Sequence, residues 1–244
     1  MGKERIFRFK HFEVSHAQSA IPVGMDGVLL GAWTDVSSKL NILDVGTGCG
    51  VIALMCAQRC AEAQITGIDI HTQSVEEAQR NFAVSAWSDR LHAVRADFIT
   101  LPVEHKYDLI ISNPPFFDAG IQTINASPRL TARHCGVLGP AQLLTHGYNL
   151  LSDNGNIALI SPASQKEILI CSCLQCGLTV KRLCYVISRP GKEPKRILIQ
   201  VEKTNITPPA SLPIFQESTL YIYDNSGAYT PEYKSLTQDF YLKF

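Results

Sequence analysis

Asn41-Ile-Leu-Asp-Val45 runs directly into Gly46-Thr-Gly-Cys-Gly50, and Val51-Ile-Ala-Leu-Met-Cys-Ala-Gln58 follows. The first segment is a short apolar run. The second has glycine at every other position. The third is an apolar stretch without Gly or Pro. This reads as a buried strand, a tight turn and a helix. Glycines let the backbone approach a ligand with no Cβ in the way, and the helix N-terminus turns unpaired N–H groups toward it. A dinucleotide-binding fingerprint would place its third glycine one position later, where Val51 stands. Asp44, two residues before the first glycine, argues the same way. A carboxylate there repels a pyrophosphate and suits an α-ammonium group. S-adenosylmethionine carries such an ammonium and no phosphate. Gly46, Thr47, Gly48 and Gly50 are therefore expected to bind it, with Asp44 beneath its amino-acid end.

Outward from this unit, short apolar runs alternate with helical patterns, which implies a parallel sheet whose ligands bind at the strands' carboxyl ends. Gln64-Ile-Thr-Gly-Ile-Asp69 ends in a carboxylate about twenty residues past the loop, the spacing at which an acid holds ribose hydroxyls. Leu91-His-Ala-Val-Arg95 leads to Asp97, placed to accept from an adenine amino group, with Phe98 or Ile70 against the ring. A lone loop acid is usually just solvated. Three at successive strand ends on one sheet edge point to one ligand.

Tyr107-Asp-Leu-Ile-Ile-Ser112 is another buried strand, and it leaves through Asn113-Pro114-Pro115-Phe116. Such a turn suits the grip of a planar NH2 group. Asn113 offers a side-chain carbonyl. The Pro114 carbonyl stays available because a Pro-Pro turn forms no helix to use it. Phe116 can lie on the π-system.

These motifs resemble the class I S-adenosylmethionine-dependent amino-methyltransferases. The chain ends narrow the likeness. Phe9-Lys-His-Phe12, Val23-Gly-Met-Asp-Gly-Val-Leu-Leu-Gly-Ala-Trp33 and Asp239-Phe-Tyr-Leu-Lys-Phe244 are similar to the bacterial tRNA(Val) adenine-37 N6-methyltransferases. The resemblance implies that Asn113 and Pro114 hold the target N6 while Phe116 stacks on the base. It implies that Met25 and Asp26 close over the cofactor, although many relatives carry Thr where Met25 stands. S-adenosylhomocysteine would be the product. The same turn also serves guanine N2, glutamine N5 and DNA adenine chemistry, and a non-catalytic RNA-binding module is a further reading.

The implied fold is α/β: a seven-stranded, mostly parallel, Rossmann-like sheet with helices on both faces and an antiparallel closing pair. Residues 5–14 alternate as a strand or hairpin, and Met25 to Trp33 reads as a short helix. The helix near Thr72 carries Ser74 and Glu77 in capping-box spacing. Helices are expected from Pro140 to Leu151 and from Pro162 to Gly177. Gly155 to Ile160 reads as a strand. Leu178 to Ile187 and Arg196 to Val201 read as the closing pair. Residues 1–35 should pack on the cofactor site, 36–205 form the core, and 206–244 pack on it as an extension.

Lysine plus arginine and aspartate plus glutamate number 22 each, so the chain as a whole is no polycation. Locally, Lys181, Arg182, Arg189, Lys192, Lys195, Arg196 and Lys203 face only Glu193 and Glu202, a local excess of five. Arg189, Lys192, Lys195 and Arg196 are assigned to RNA phosphates. Pro115 of the turn, with Phe117, Arg129 and Arg133 in the long polar stretch from Phe117 to Leu138, is assigned to the RNA near the target. The eight cysteines follow no metal-site or extracellular disulfide spacing, and Cys173-Leu-Gln-Cys176 has no partner motif, so no metal is expected. No run approaches the roughly 18–20 apolar residues of a membrane span. The charged start lacks a following apolar segment, as no signal peptide would. With 244 residues the chain can bury about 70–75% of its unfolded surface. A cytoplasmic enzyme, monomeric and acting on tRNA without an obligate protein partner, is the expectation.

Overall fold

The computed structural model describes residues 5–17, 23–115, 138–204 and 215–244. Its centre is a sheet whose strands alternate between two apolar layers. The strands in chain order are β3 (Asn41–Val45), β4 (Gln64–Asp69), β5 (Leu91–Arg95), β6 (Tyr107–Ser112), β7 (Leu151–Pro162), β8 (Leu178–Ile187), β9 (Arg196–Lys203) and β10 (Gln216–Tyr221). Their spatial order is β10-β8-β9-β7-β6-β3-β4-β5. Only β9 runs antiparallel to its neighbours.

Among the described residues the sheet thus has eight strands, one more than expected. The extra one is β10, which pairs in parallel with β8 from Gln216↔Arg182 to Tyr221↔Ile187. The C-terminal stretch therefore completes the sheet as well as packing on it. The antiparallel pair β8–β9 is present as expected. A separate hairpin joins β1 (Ile6–Arg8) to β2 (Glu13–Ser15).

Both faces of the central strands are covered, so the strands read as unbroken apolar runs. Leu109 and Ile111 point into one layer and Ile110 into the other; Ala158 and Ile160 oppose Ile157 and Leu159 in the same way. Each such Leu or Ile side chain contributes about 1.5–3 kcal/mol on full burial. The first layer holds α1 (Met25–Trp33), α2 (Val51–Arg59), α3 (Thr72–Ala83), the hairpin and the C-terminal α6 (Pro231–Thr237). The second holds α4 (Pro140–Leu150) and α5 (Lys166–Cys176).

Helix ends follow local chemistry. Pro140 opens α4 and Gly139 N–H donates to Gln142 Oε1 at 3.0 Å. Gly177, in the left-handed conformation, stops α5. The capping box expected on α3 is absent. His71 is the N-cap without a side-chain bond, while Ser74 and Glu77 are buried on the helix's inner stripe. Glu77 takes the Ser15 hydroxyl at 3.3 Å, so it serves the hairpin and not the helix end.

Candidate active site

β3 lies between β4 and β6, so the chain leaves it to one side and returns on the other. This is the switch point at which an open α/β sheet forms a crevice. The glycine loop sits there. Gly46 N–H and Thr47 N–H both donate to the Ile68 carbonyl at 2.9 Å, which folds the loop back over β4. Gly50 has φ 84°, and a Cβ there would stand 2.4 Å from Phe82 Cε1. Gly48 has φ 55°, but a Cβ there would meet no atom within 4 Å. Gly50 is thus glycine for packing against α3, and Gly48 opens onto the crevice.

Three side chains hold this loop from below. Thr47 Oγ1 donates to Asp44 Oδ2 at 2.7 Å. Gly48 N–H donates to Asp69 Oδ2 at 3.1 Å. Asn81, buried on α3, donates from Nδ2 to the Cys49 carbonyl at 2.8 Å. The same Asn81 amide exchanges hydrogen bonds with the Ser15 backbone, tying the hairpin to the loop. Sequence reasoning missed Asn81. Its signal was a polar residue set among Val75, Ala78 and Phe82 on the inner stripe of α3, which it shares with Ser74 and Glu77.

Asp44 is fully buried, and burial pushes its carboxyl up to about 7 against the pull of Thr47 and the Ala53 N–H. Among the described residues its Oδ1 has no hydrogen-bond partner. A buried acceptor without a donor is costly, and a cation held in the loop above relieves that cost. Asp69 is half-buried. Its Oδ1 takes His71 N–H at 2.9 Å, so each oxygen has one backbone donor. A carboxylate has about four acceptor sites, which leaves capacity for two hydroxyls.

Asp97 is exposed beyond β5 and caps the short 3₁₀ turn Phe98–Thr100, accepting from Ile99 N–H at 3.0 Å. Ile70 beside it is 44% exposed, whereas Phe98 is 3% exposed. The Phe98 ring packs edge-on against His146 at 5.2 Å in the second layer. It therefore offers no face to a ligand, contrary to expectation, and Ile70 remains the open apolar surface.

On the other side of the loop, Ser112 Oγ donates to the Val45 carbonyl at 2.9 Å, fastening the end of β6 to the end of β3. Asn113 therefore begins beside the glycine loop. Its Nδ2 lies 3.9 Å from where a Cβ on Gly27 would stand, and Val51 Cγ1 lies 3.6 Å from the same point. The first turns of α1 and α2 and the Asn113 side chain thus meet at one corner. Pro114 is buried and Pro115 exposed. Phe116, Phe117, Arg129 and Arg133 lie outside the described residues.

At the start of α1, Met25 is 37% exposed. Asp26 accepts from Arg196 Nε at 2.9 Å. Arg196, assigned to RNA from the sequence, is thus engaged with α1. Arg189, Lys192 and Lys195 are exposed on the turn joining β8 to β9. Because β9 is antiparallel, that turn lies on the same sheet edge as the crevice. It is displaced from Asn113 by two to three strand spacings, roughly 10–15 Å. Asp44, Asp69 and Asp97 lie on the opposite side of Asn113, at the ends of β3, β4 and β5.

Cys49 and Cys173 do not compete for a catalytic role. Burial pushes Cys49 and Cys173 up to about 12, so neither is a thiolate near neutral pH. No group of three metal-ligating side chains occurs among the described residues.

Comparison with known proteins bears on the family and the fold. The family described as Methyltransferase small domain matches residues 27–166. The tRNA1(Val) (adenine(37)-N6)-methyltransferase of Vibrio campbellii is 40% identical over 247 residues, spanning 100% of both chains. The enzyme of the same description from Aeromonas hydrophila is 36% identical, again across 100% of both. Among solved structures, a predicted O-methyltransferase from Agrobacterium tumefaciens aligns with TM-score 0.66 and 20% identity over 88% of this chain and 96% of its own; it speaks to the fold alone.

Proposed function

The chain belongs to the tRNA1(Val) (adenine(37)-N6)-methyltransferase family, and from that premise we propose how its own residues methylate N6 of adenine 37. The observation that carries the reading is the placement of Asn113 at the seam between β6 and the glycine loop, against the first turn of α1.

S-adenosylmethionine fits the crevice by the chemistry of its donors and acceptors. The orphaned Asp44 oxygen suits the α-ammonium, the spare capacity of Asp69 suits the ribose diol, and Asp97 with Ile70 suits the adenine. When bound, it supplies a methyl on a sulfonium: the C–S bond breaks with its electron pair to sulfur as nitrogen forms the new bond, leaving S-adenosylhomocysteine.

The protein's part is to prepare the nitrogen. An adenine N6 lone pair is delocalised into the ring and is a poor nucleophile. Asn113 Oδ1 and the Pro114 carbonyl accept its two hydrogens and draw them out of the ring plane, which localises the pair. Positioning and electrostatics then dominate the rate. The product amine sheds its extra proton to water, so no strong base is needed. The base must leave its stack to enter the crevice. Phe116 is assigned its face on sequence grounds and repays about 1–3 kcal/mol by stacking.

Lys192, Lys195 and Arg189 lie where a tRNA backbone would pass if its target base reached Asn113. On this reading residues 36–205 are the catalytic core, residues 1–35 close the cofactor side, and residues 206–244 brace α1 and the sheet edge. One chain carries every group named, in keeping with a monomer, and a tRNA substrate is in keeping with a cytoplasmic enzyme. Among the described residues no helix is long and apolar enough to cross a membrane. Mapping N6-methyladenosine in tRNA1(Val) incubated with the protein and cofactor tests the reading. Methylation at position 37, abolished when that adenine is replaced by guanine, is the expected result; methylation elsewhere or none contradicts it.

A further inference from the structure

Arg196 begins β9 opposite Pro162, at the carboxyl end of β7. Its sequence neighbours Lys192 and Lys195 point to RNA, but its side chain turns inward. Nε donates to Asp26 Oδ2 at 2.9 Å, and the paired side chains are 32% and 29% exposed. Nη1 reaches its neighbour's carbonyl, Lys195 O, at 3.2 Å. That carbonyl in turn accepts from Ala163 N–H at 3.2 Å, just past the end of β7. The guanidinium is thus mounted on a fixed turn at the sheet edge.

Asp26 sits in the first turn of α1, one residue before Gly27. Gly27 is where α1 meets Val51 of α2 and the Asn113 amide. The far end of α1 is anchored separately. Arg59 Nη1 donates to the Gly31 and Thr34 carbonyls at 2.8 and 2.6 Å, and Arg182 Nη2 to the Trp33 carbonyl at 2.6 Å. At the near end, Gly24 is the N-cap and makes no side-chain cap bond. Among the described residues, the Arg196 ion pair ties this end to the sheet edge, beside the apolar packing of α1 on β7.

We infer that Arg196 is a positioning residue for the cofactor pocket: through Asp26 it holds the first turn of α1 against Asn113 and the start of α2. This deepens the methyltransferase reading above and rests on it. Such a pair, a third exposed at each side chain, contributes little to global stability. Its loss should therefore appear in ligand binding and not in unfolding. Arg suits the task because its planar fork binds Asp26 and a carbonyl together.

The test is calorimetric titration of S-adenosylmethionine and S-adenosylhomocysteine into the wild type, Arg196→Gln, Arg196→Lys, Asp26→Asn and the Asp26→Asn/Arg196→Gln double variant. Binding of tRNA is measured across salt in the same proteins. Arg196→Gln should weaken both ligands about tenfold, Arg196→Lys should recover part of that loss, and the melting temperature should stay unchanged. In the Asp26→Asn background, where the charge pair is lost, Arg196→Gln should cost less than it does alone. The salt slope of tRNA binding should match the wild type. Wild-type affinity in Arg196→Gln, an equal further loss in the Asp26→Asn background, or a slope reduced by one phosphate contact would each overturn the inference. A wild type that binds neither ligand would instead refute the reading on which it rests.

Discussion

Asn81 donates to the Cys49 carbonyl at 2.8 Å while the same amide is bonded to Ser15. One buried side chain thus joins the N-terminal hairpin to the glycine loop. Neither attachment is local, since Asn81 is 32 residues from Cys49 and 66 from Ser15. Replacing Asn81 with Ala strands the Cys49 carbonyl and both Ser15 backbone groups. It should cost about 1–3 kcal/mol in denaturant unfolding and weaken cofactor binding as the loop loosens. Wild-type stability together with wild-type affinity would show that the bridge is incidental.

Two glycines in the loop should respond differently to alanine. At Gly50 the new Cβ meets the Phe82 ring at 2.4 Å, so Gly50→Ala should destabilise the fold beyond the roughly 1–2 kcal/mol of left-handed backbone strain. At Gly48 no atom lies within 4 Å, so Gly48→Ala should cost only that strain in stability. Its methyl nevertheless projects into the crevice and should impair cofactor binding. Unfolding curves and titrations on both variants separate the effects, and identical behaviour of the two would contradict the assignment.

Asp44 should make cofactor binding depend on pH. Its folded value of about 7 lies above the ordinary 3.8, so the protonated form is favoured in the folded protein. Without cofactor, stability should therefore fall as pH rises from about 4 to about 7 and level off above. An ammonium over the loop favours the carboxylate, so binding near pH 6.5 should release a proton from Asp44. The release is read by calorimetry in buffers of different ionisation enthalpy. Asp44→Asn should abolish it, and an equal release in that variant would assign the proton elsewhere.

Lys192 and Lys195 should carry phosphate contacts. Replacing both with Ala should weaken tRNA binding and reduce the slope of log K against log salt by about two. Cofactor affinity should be unaffected. An unaltered slope would place the RNA on another surface.

Much of this was legible in the sequence because the central strands are buried on both faces. Asn41–Val45 and Tyr107–Ser112 stand out as apolar runs, and the glycines, acids and Asn-Pro-Pro turn sit at their ends. β10 was not legible, because an edge strand covered on little of its surface carries no apolar pattern. Of Gln216-Glu-Ser-Thr-Leu-Tyr221, only Leu220 is buried. Ser74 and Glu77 matched a capping box because buried polar partners and caps can share one spacing. The direction of the Phe98 ring is set by α4, far along the chain. Arg196 read as the end of a basic run, since its partner lies 170 residues away. Pairings of that kind are created by topology and leave no local trace.

The most direct test is single-turnover methyl transfer to tRNA1(Val) by Asn113→Ala at saturating cofactor and tRNA, with cofactor affinity measured alongside. Loss of one of the two acceptors on N6 should slow the chemical step by about 10²–10³, a loss that persists at saturating cofactor and exceeds any change in cofactor affinity. Transfer at the wild-type rate would contradict the claim that Asn113 activates the amine.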